Sequence, residues 1–331
     1  MNYSGLLFGL LCLLWANGLT AQTLIARHSA GNIAYHPTWA EAWAAAQDRD
    51  TLYLPGGDID LGGDWLINRP VTLVGVGYRP DTGAATGPTV LTGGHIILTN
   101  RAGGGSLWGV HLQGDIRIGS ADTNHVVNNY VIARFRFNSL WLSYCNDGTC
   151  PTTANLLIVR ENVIEGEVYG AAGYRNVSFV SNIHIGGLYH FPNTSMRVLN
   201  CIFMGETGAD KKYFNAVTGA FVFNSIFLTD SVFDAACNNL NIQNNLFHTD
   251  ITPRAGLTLR NNLTEADPMR IFRNVAAEDR NFLLEQDFRL AENSPAKGSG
   301  ASGADMGVYG GSFVLKEGAK PFHPFIRAAA A

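Results

Sequence analysis

Charge is scarce in this sequence. Only 15% of the 331 residues are Asp, Glu, Lys or Arg, and the net charge is −4. No basic tract exists beyond Lys211–Lys212, so nucleic-acid binding has no support. Long apolar runs are missing too, apart from one near the N-terminus. That run, Leu6 to Trp15, is too short to span a bilayer. Small residues near Ala21 follow it, the layout of a secretory signal peptide cut around Ala21–Gln22, although no Lys or Arg precedes it. Residues 1–21 are therefore read as a signal peptide, with a retained anchor as the alternative. No membrane span is expected after its removal. The 37 glycines lack a collagen period.

What is present is a repeat. "MRVLNCIFMGE" (196–206), "FVFNSIFLTD" (221–230) and "LNIQNNLFHTD" (240–250) each set an Asn into an apolar run, at Asn200, Asn224 and Asn244. Asn is a poor strand residue, so its recurrence needs a reason. The pattern is apolar, any, Asn, any, apolar, usually apolar. Its first positions are read at Val127, Val159, Phe179, Val198, Val222, Ile242 and Leu259, with steps of 32, 20, 19, 24, 20 and 17 residues. Every copy has Asn at position 3 or 4, and "LWGVHL" (107–112) is a weaker, earlier copy.

A repeat near 20 residues is one solenoid coil; helical repeats need about 33 residues or more. The Leu-x-x-Leu-x-Leu frame of leucine-rich repeats is absent. Short β-branched and aromatic runs divided by Gly, Asn and Asp predict coils of strands and turns. Asn tolerates left-handed backbone at a bend. In coils stacked about 4.8 Å apart, such amides can bond along the stack. The Asn column is thus expected to be structural, with Asn224 at a corner.

"TWAEAWAAAQ" (38–47) predicts a helix at the start of the stack. Thr38 and Glu41 form a capping box, and Trp39, Trp43 and Ala46 share a face. Residues 281–311 lose the Asn motif, as a terminal coil would, and 312–331 form a tail. Cys145 and Cys150 flank an Asn-Asp-Gly turn in "CNDGTC". In an exported protein this pair is expected to close a disulfide. It lies in the one long step, which predicts a protruding loop over 138–156. Cys201 and Cys237 are read as buried thiols, with a bond between them left open.

"AWAAAQDRDTLYLPGG", "RPVTLVGVGY", the Asn-bearing coils and "DFRLAENSPAKGSGASGADMGVYGG" together resemble secreted right-handed parallel β-helix proteins of the pectate-lyase-like superfamily. The resemblance covers about 38–311. "TAQ" and "DMGVYGG" resemble stretches of exported Bacteroidota proteins. It implies an all-β, right-handed parallel β-helix over 22–311 with an N-terminal helical cap. It implies no single activity, since lyases, hydrolases, epimerases and adhesins share the fold.

The site must be argued on its own. No Asp-Asp pair and no Gly-His-Gly stretch of the polygalacturonase kind is present. A lyase needs a cation to neutralise a uronate and a base to take the C5 proton. The catalytic candidates are His184, His190, Arg197 and Lys211, grouped in one cleft; the alternative is a tolerated His and solvated loop lysines. Position 2 reads Arg160, Val180, Leu199, Phe223, Gln243 and Arg260, which alternation turns outward. Arg160, Leu199, Phe223 and Arg260 are therefore candidate binding residues, unless a loop covers the stripe. Position 9 carries Glu206, Asp230, Asp250 and Asp267. These carboxylates either splay into solvent and cap turns or hold calcium through oxygen ligands. No cofactor is required otherwise. The expected function is an exported scaffold (secreted, periplasmic or on the cell surface) that meets a polysaccharide or a cell-surface protein. The alternative is a polysaccharide lyase acting on an acidic glycan.

Overall fold

The computed structural model describes residues 24–78, 87–119, 127–142, 155–170, 175–192, 195–205, 213–275 and 286–310. The expected signal peptide, the Cys145–Cys150 pair, most of the 138–156 loop, Glu206, Lys211 and the tail 312–331 lie outside them.

The chain winds as a parallel β-helix. A coil lays one strand in each of three sheets, as in Arg175–Val180, Ile183–His184 and Leu188–Phe191. Among the described residues the sheets hold twelve, ten and seven strands. Neighbours pair in parallel, with Phe179 beside Val198, Ile183 beside Ile202 and Leu188 beside Phe214. The first sheet opens with an antiparallel hairpin, Ile25–Ser29 with Asn32–His36. Position 1 of the repeat faces the interior, where Val159, Phe179, Val198, Val222 and Ile242 are fully buried.

The repeat's two Asn positions do separate jobs. Position 3 carries the bend: Glu161, Ser181, Asn200, Asn224, Asn244 and Asn261 all have φ between 49° and 57°. Position 4 carries the ladder. Asn162 Nδ2 donates to Asn182 Oδ1 at 3.0 Å, and Asn245 Nδ2 to Asn262 Oδ1 at 3.2 Å. The same oxygens accept from the backbone N–H groups of Asn162 and Asn245. Asn224 is thus a corner, as expected, but not a rung of the ladder. Its Oδ1 accepts from Ala301 N at 2.9 Å.

The first copy of the repeat is misplaced in the sequence reading. Ile132, not Val127, pairs with Val159, and Arg134 is the left-handed residue of that coil (φ 57°). Asn129 belongs to a second left-handed corner, before the first strand, together with Leu156, Asn176 and Asn239. Both corners favour Asn for the same backbone reason, so the motif matched the wrong one.

The two successive apolar residues at positions 5 and 6 also have distinct fates. Phe203, Phe227 and Phe247 at position 6 stack inside the coil. Val163, Ile183, Ile202, Ile226 and Leu246 at position 5 face outward, yet are fully buried. They form a second cluster with Phe288, Leu290, Ala296, Met306 and Val308. The C-terminal stretch is therefore no terminal coil: it folds back along the outside of the second sheet. Asn200 Nδ2 reaches the Gly307 carbonyl at 3.4 Å, and Gly307 N donates to the Asn224 carbonyl at 2.8 Å. Burying each outward Ile this way is worth about 1.5–3 kcal/mol.

Helix α1, Trp39–Ala45, sits near the start of the sheets. Thr38 Oγ1 accepts from Glu41 N at 3.2 Å, which is one half of the expected box. Its hydroxyl in turn donates to Glu41 Oε1, in place of the reciprocal bond to the Thr38 N–H. Ala42 and Ala46 are buried in the main core, and Trp39 stacks on Trp65 at 3.5 Å.

Candidate functional site

The third sheet turns two columns of side chains outward. One reads Asp64, His95, Asp115, Ser139, Glu167, Gly187, Tyr213, one residue ahead of the paired positions Trp65, Ile96, Ile116, Leu140, Val168, Leu188 and Phe214. The other reads Leu66, Ile97, Arg117, Trp141, Tyr169, Tyr189, Asn215. Polar and ionic side chains link the upper coils. Arg117 bonds both Asp115 and His95, and Asn138 Nδ2 donates to Asp115 Oδ1 at 2.8 Å. Below them the columns turn aromatic, and Gly187 carries no side chain.

A groove of about 300 Å³ opens there, lined by Ser139, Trp141, Glu165, Glu167, Tyr169, Ile185, Tyr189, Tyr213 and three glycines. Trp141 stacks on Tyr169 at 4.0 Å, and Tyr169 on Tyr189 at 5.4 Å. The stack ends at Tyr189, whose register neighbour is Asn215. Gly187 has no room for a side chain: a Cβ would lie 2.7 Å from the Tyr213 carbonyl oxygen and 3.0 Å from the Tyr189 ring.

Tyr169 donates its phenol proton to Glu167. Burial, then this bond and the Glu167 charge, push the Tyr169 phenol up to about 12. Burial and the same carboxylate raise Tyr189 to about 12. Both phenols therefore stay protonated donors at neutral pH. Glu165 is paired with Arg136 at 2.6 Å. Behind that pair, His111 has its pKa lowered, by burial first and by Arg136 next. The indole Nε1 of Trp141 is buried and has no hydrogen-bond partner among the described residues.

The residues expected from sequence fall elsewhere. His184 is fully buried inside the coil, face to face with Phe203. It cannot share an open cleft with His190 and Arg197, which are exposed on different sheets, the third and the first. Lys211 is outside the described residues. Position 2 does turn outward, and its exposure varies: Val180 is buried, Leu199 and Phe223 half-buried. The more exposed ring is Phe221, 42% accessible. Arg160 is engaged by Glu161 at 3.3 Å, and its guanidinium lies 5.0 Å from the Trp108 ring. Arg260 is exposed on the last of the stacked coils.

The described members of the acidic column each have a partner of their own. Asp230 faces His248 at 3.4 Å, Asp250 accepts from the Thr264 hydroxyl, and Asp267 caps helix α2, Pro268–Ile271, through Met269 N at 2.9 Å. Among the described residues, no group of three or more His, Cys, Asp or Glu side chains is placed to hold a metal ion. Cys201 and Cys237 are free and buried, which leaves no bond between them; burial pushes each thiol up to about 12.

No protein-family model matches this chain, and no curated protein matches it.

The groove residues carry a sequence signal separate from the Asn motif. "EVYG" and "GLYH" place Tyr169 and Tyr189 one coil apart, 20 residues, at the same point of the third strand. Aligning that strand, rather than the Asn-bearing one, exposes the aromatic column.

Proposed function

We propose that this protein is an exported β-helix that binds carbohydrate in the third-sheet groove. The observation that carries this reading is the Trp141–Tyr169–Tyr189 stack, bordered by Glu167 and Ser139. Aromatic rings offer an apolar face to the C–H side of a sugar, while hydroxyls and carboxylates answer its O–H groups. The groove runs across successive coils, so a chain of sugars can follow it. Export rests on the signal-like N-terminus, and a disulfide between Cys145 and Cys150 belongs to the same reading. Right-handed winding, kinship with the pectate-lyase-like superfamily, a Bacteroidota source and closure of the first coil by α1 are also part of it. They are motivated by the sequence likeness and by the burial of Ala42 in the core.

The polysaccharide-lyase alternative is the weaker of the two. Uronate chemistry wants a cation at the bound carboxylate. Among the described residues the groove's charged lining is Glu165 and Glu167, and the neighbouring Arg136 is already paired. Calcium held at Asp230 and Asp250 would supply a cation, but outside this groove. A glycan array tests the reading, with unprocessed absorbance near about 235 nm followed in parallel for unsaturated uronate. Binding by the wild type that is lost in Trp141→Ala supports it. Absence of binding to any glycan, or equal binding by Trp141→Ala, would refute it.

A further inference from the structure

The charge of the groove goes further than carbohydrate in general. We infer that the groove selects a sugar bearing a free ammonium group, that is, an unacetylated amino sugar, and that Glu167 is the residue that selects it. This deepens the proposed carbohydrate reading and rests on it.

Among the described residues, every charged side chain that lines the groove is a carboxylate. Glu165 is neutralised by Arg136, whose Nε and Nη2 both bond its Oε1 at 2.9 and 2.6 Å. Among the described residues, Glu167 has no such partner. Its contacts are the phenol of Tyr169, the ring column of Tyr189 and, through its backbone N–H, Ser139 Oγ at 3.2 Å. A carboxylate bracketed by neutral phenols and packed among aromatic rings keeps its full attraction for a cation. The same field repels a uronate.

The shape agrees with the charge. In its column, Asp64, His95, Asp115 and Ser139 precede Glu167, each a polar side chain on its own coil. Gly187 follows, and a side chain there is excluded by the Tyr213 carbonyl and the Tyr189 ring. Gly187 thus brings bare backbone, rather than a side chain, to the groove wall next to Glu167. A pyranose set against the Tyr189 ring brings a ring amine beside the Glu167 carboxylate.

The test is calorimetric titration of full-length exported protein at about pH 5.5, where a primary amine is protonated. The probes are chitosan oligosaccharide, its fully N-acetylated counterpart, and oligogalacturonate. The wild type is expected to bind the unacetylated form about tenfold or more tightly than the acetylated one. The preference should shrink as salt is raised, as an ammonium–carboxylate contact requires. Glu167→Gln should keep its affinity for the acetylated chain and lose the preference. Equal binding of the two forms by the wild type overturns the amine selectivity and leaves carbohydrate binding standing. A preference that survives in Glu167→Gln overturns the role of Glu167. Tighter binding of oligogalacturonate overturns the charge argument outright. Failure of all three probes, together with a blank glycan array, removes both readings. Should Glu167→Gln fail to fold, the salt dependence of the wild-type preference decides alone.

Discussion

His184 lies face to face with Phe203 inside the coil, ring centroids 4.6 Å apart and planes 8° apart, with neither ring nitrogen bonded. It occupies the place that Phe203, Phe227 and Phe247 take in the following coils. Burial holds its pKa down to about 3, so the ring is neutral. His184→Phe should complete the stack and remove two unsatisfied polar atoms, raising stability by about 1–3 kcal/mol. Chemical denaturation measures it.

The same ring sets a pH dependence. The folded pKa of His184 is lowered from 6.5, so the unfolded chain binds the extra proton first. Its contribution to stability is complete above about pH 6.5 and is lost as pH falls toward about 3. Melting curves across that window should be steeper in pH for the wild type than for His184→Phe. Parallel curves would place the acid sensitivity elsewhere.

The division of labour between the two Asn positions is separable by mutation. Asn245 donates to the Val222 and Gln243 carbonyls at 3.0 and 2.9 Å and accepts from Ser225 N at 2.8 Å. Asn245→Ala strands these buried groups and should cost about 2–4 kcal/mol. Asn224→Gly keeps the left-handed bend and loses only the bond to Ala301, so its cost should stay near about 1 kcal/mol. A larger loss in Asn224→Gly than in Asn245→Ala would reverse the assignment.

The C-terminal strap makes outward residues behave as core. Ile226→Ala should cost about 2–4 kcal/mol although its side chain leaves the coil. Thr258→Ala, outward and exposed on the first sheet, should change stability by less than about 0.5 kcal/mol. Thiol labelling offers a companion check. Cys201 and Cys237 should resist modification until the chain unfolds, because both are buried and held as neutral thiols.

Much of the fold was legible because the coil's demands are local. A left-handed bend wants Asn, and a buried ladder wants amides, so Asn200, Asn224, Asn245 and Asn262 marked the period in the chain itself. The register failed at Val127 because Asn129 serves a different corner with the same backbone need. The strap was not legible, since Ile226 at position 5 looks like any strand residue until the segment that covers it is placed. The groove was hidden for another reason. Its residues lie on the third strand, where Trp141 and Tyr169 are separated by 28 residues rather than 20, and the extra length conceals the period. His184 drew notice as a polar departure in an apolar frame, but a lone His on an inward position packs as core.

The most direct test of the account sets the groove against the first-sheet stripe. Chitosan oligosaccharide is titrated into the wild type, Tyr189→Ala and Phe223→Ala, each first shown to be folded by its melting curve. Tyr189 closes the aromatic stack beside Gly187, whereas Phe223 sits half-buried on the other sheet. The account predicts that Tyr189→Ala weakens binding about tenfold or more while Phe223→Ala stays within about twofold of the wild type. Loss of binding in Phe223→Ala with Tyr189→Ala unaffected would contradict it.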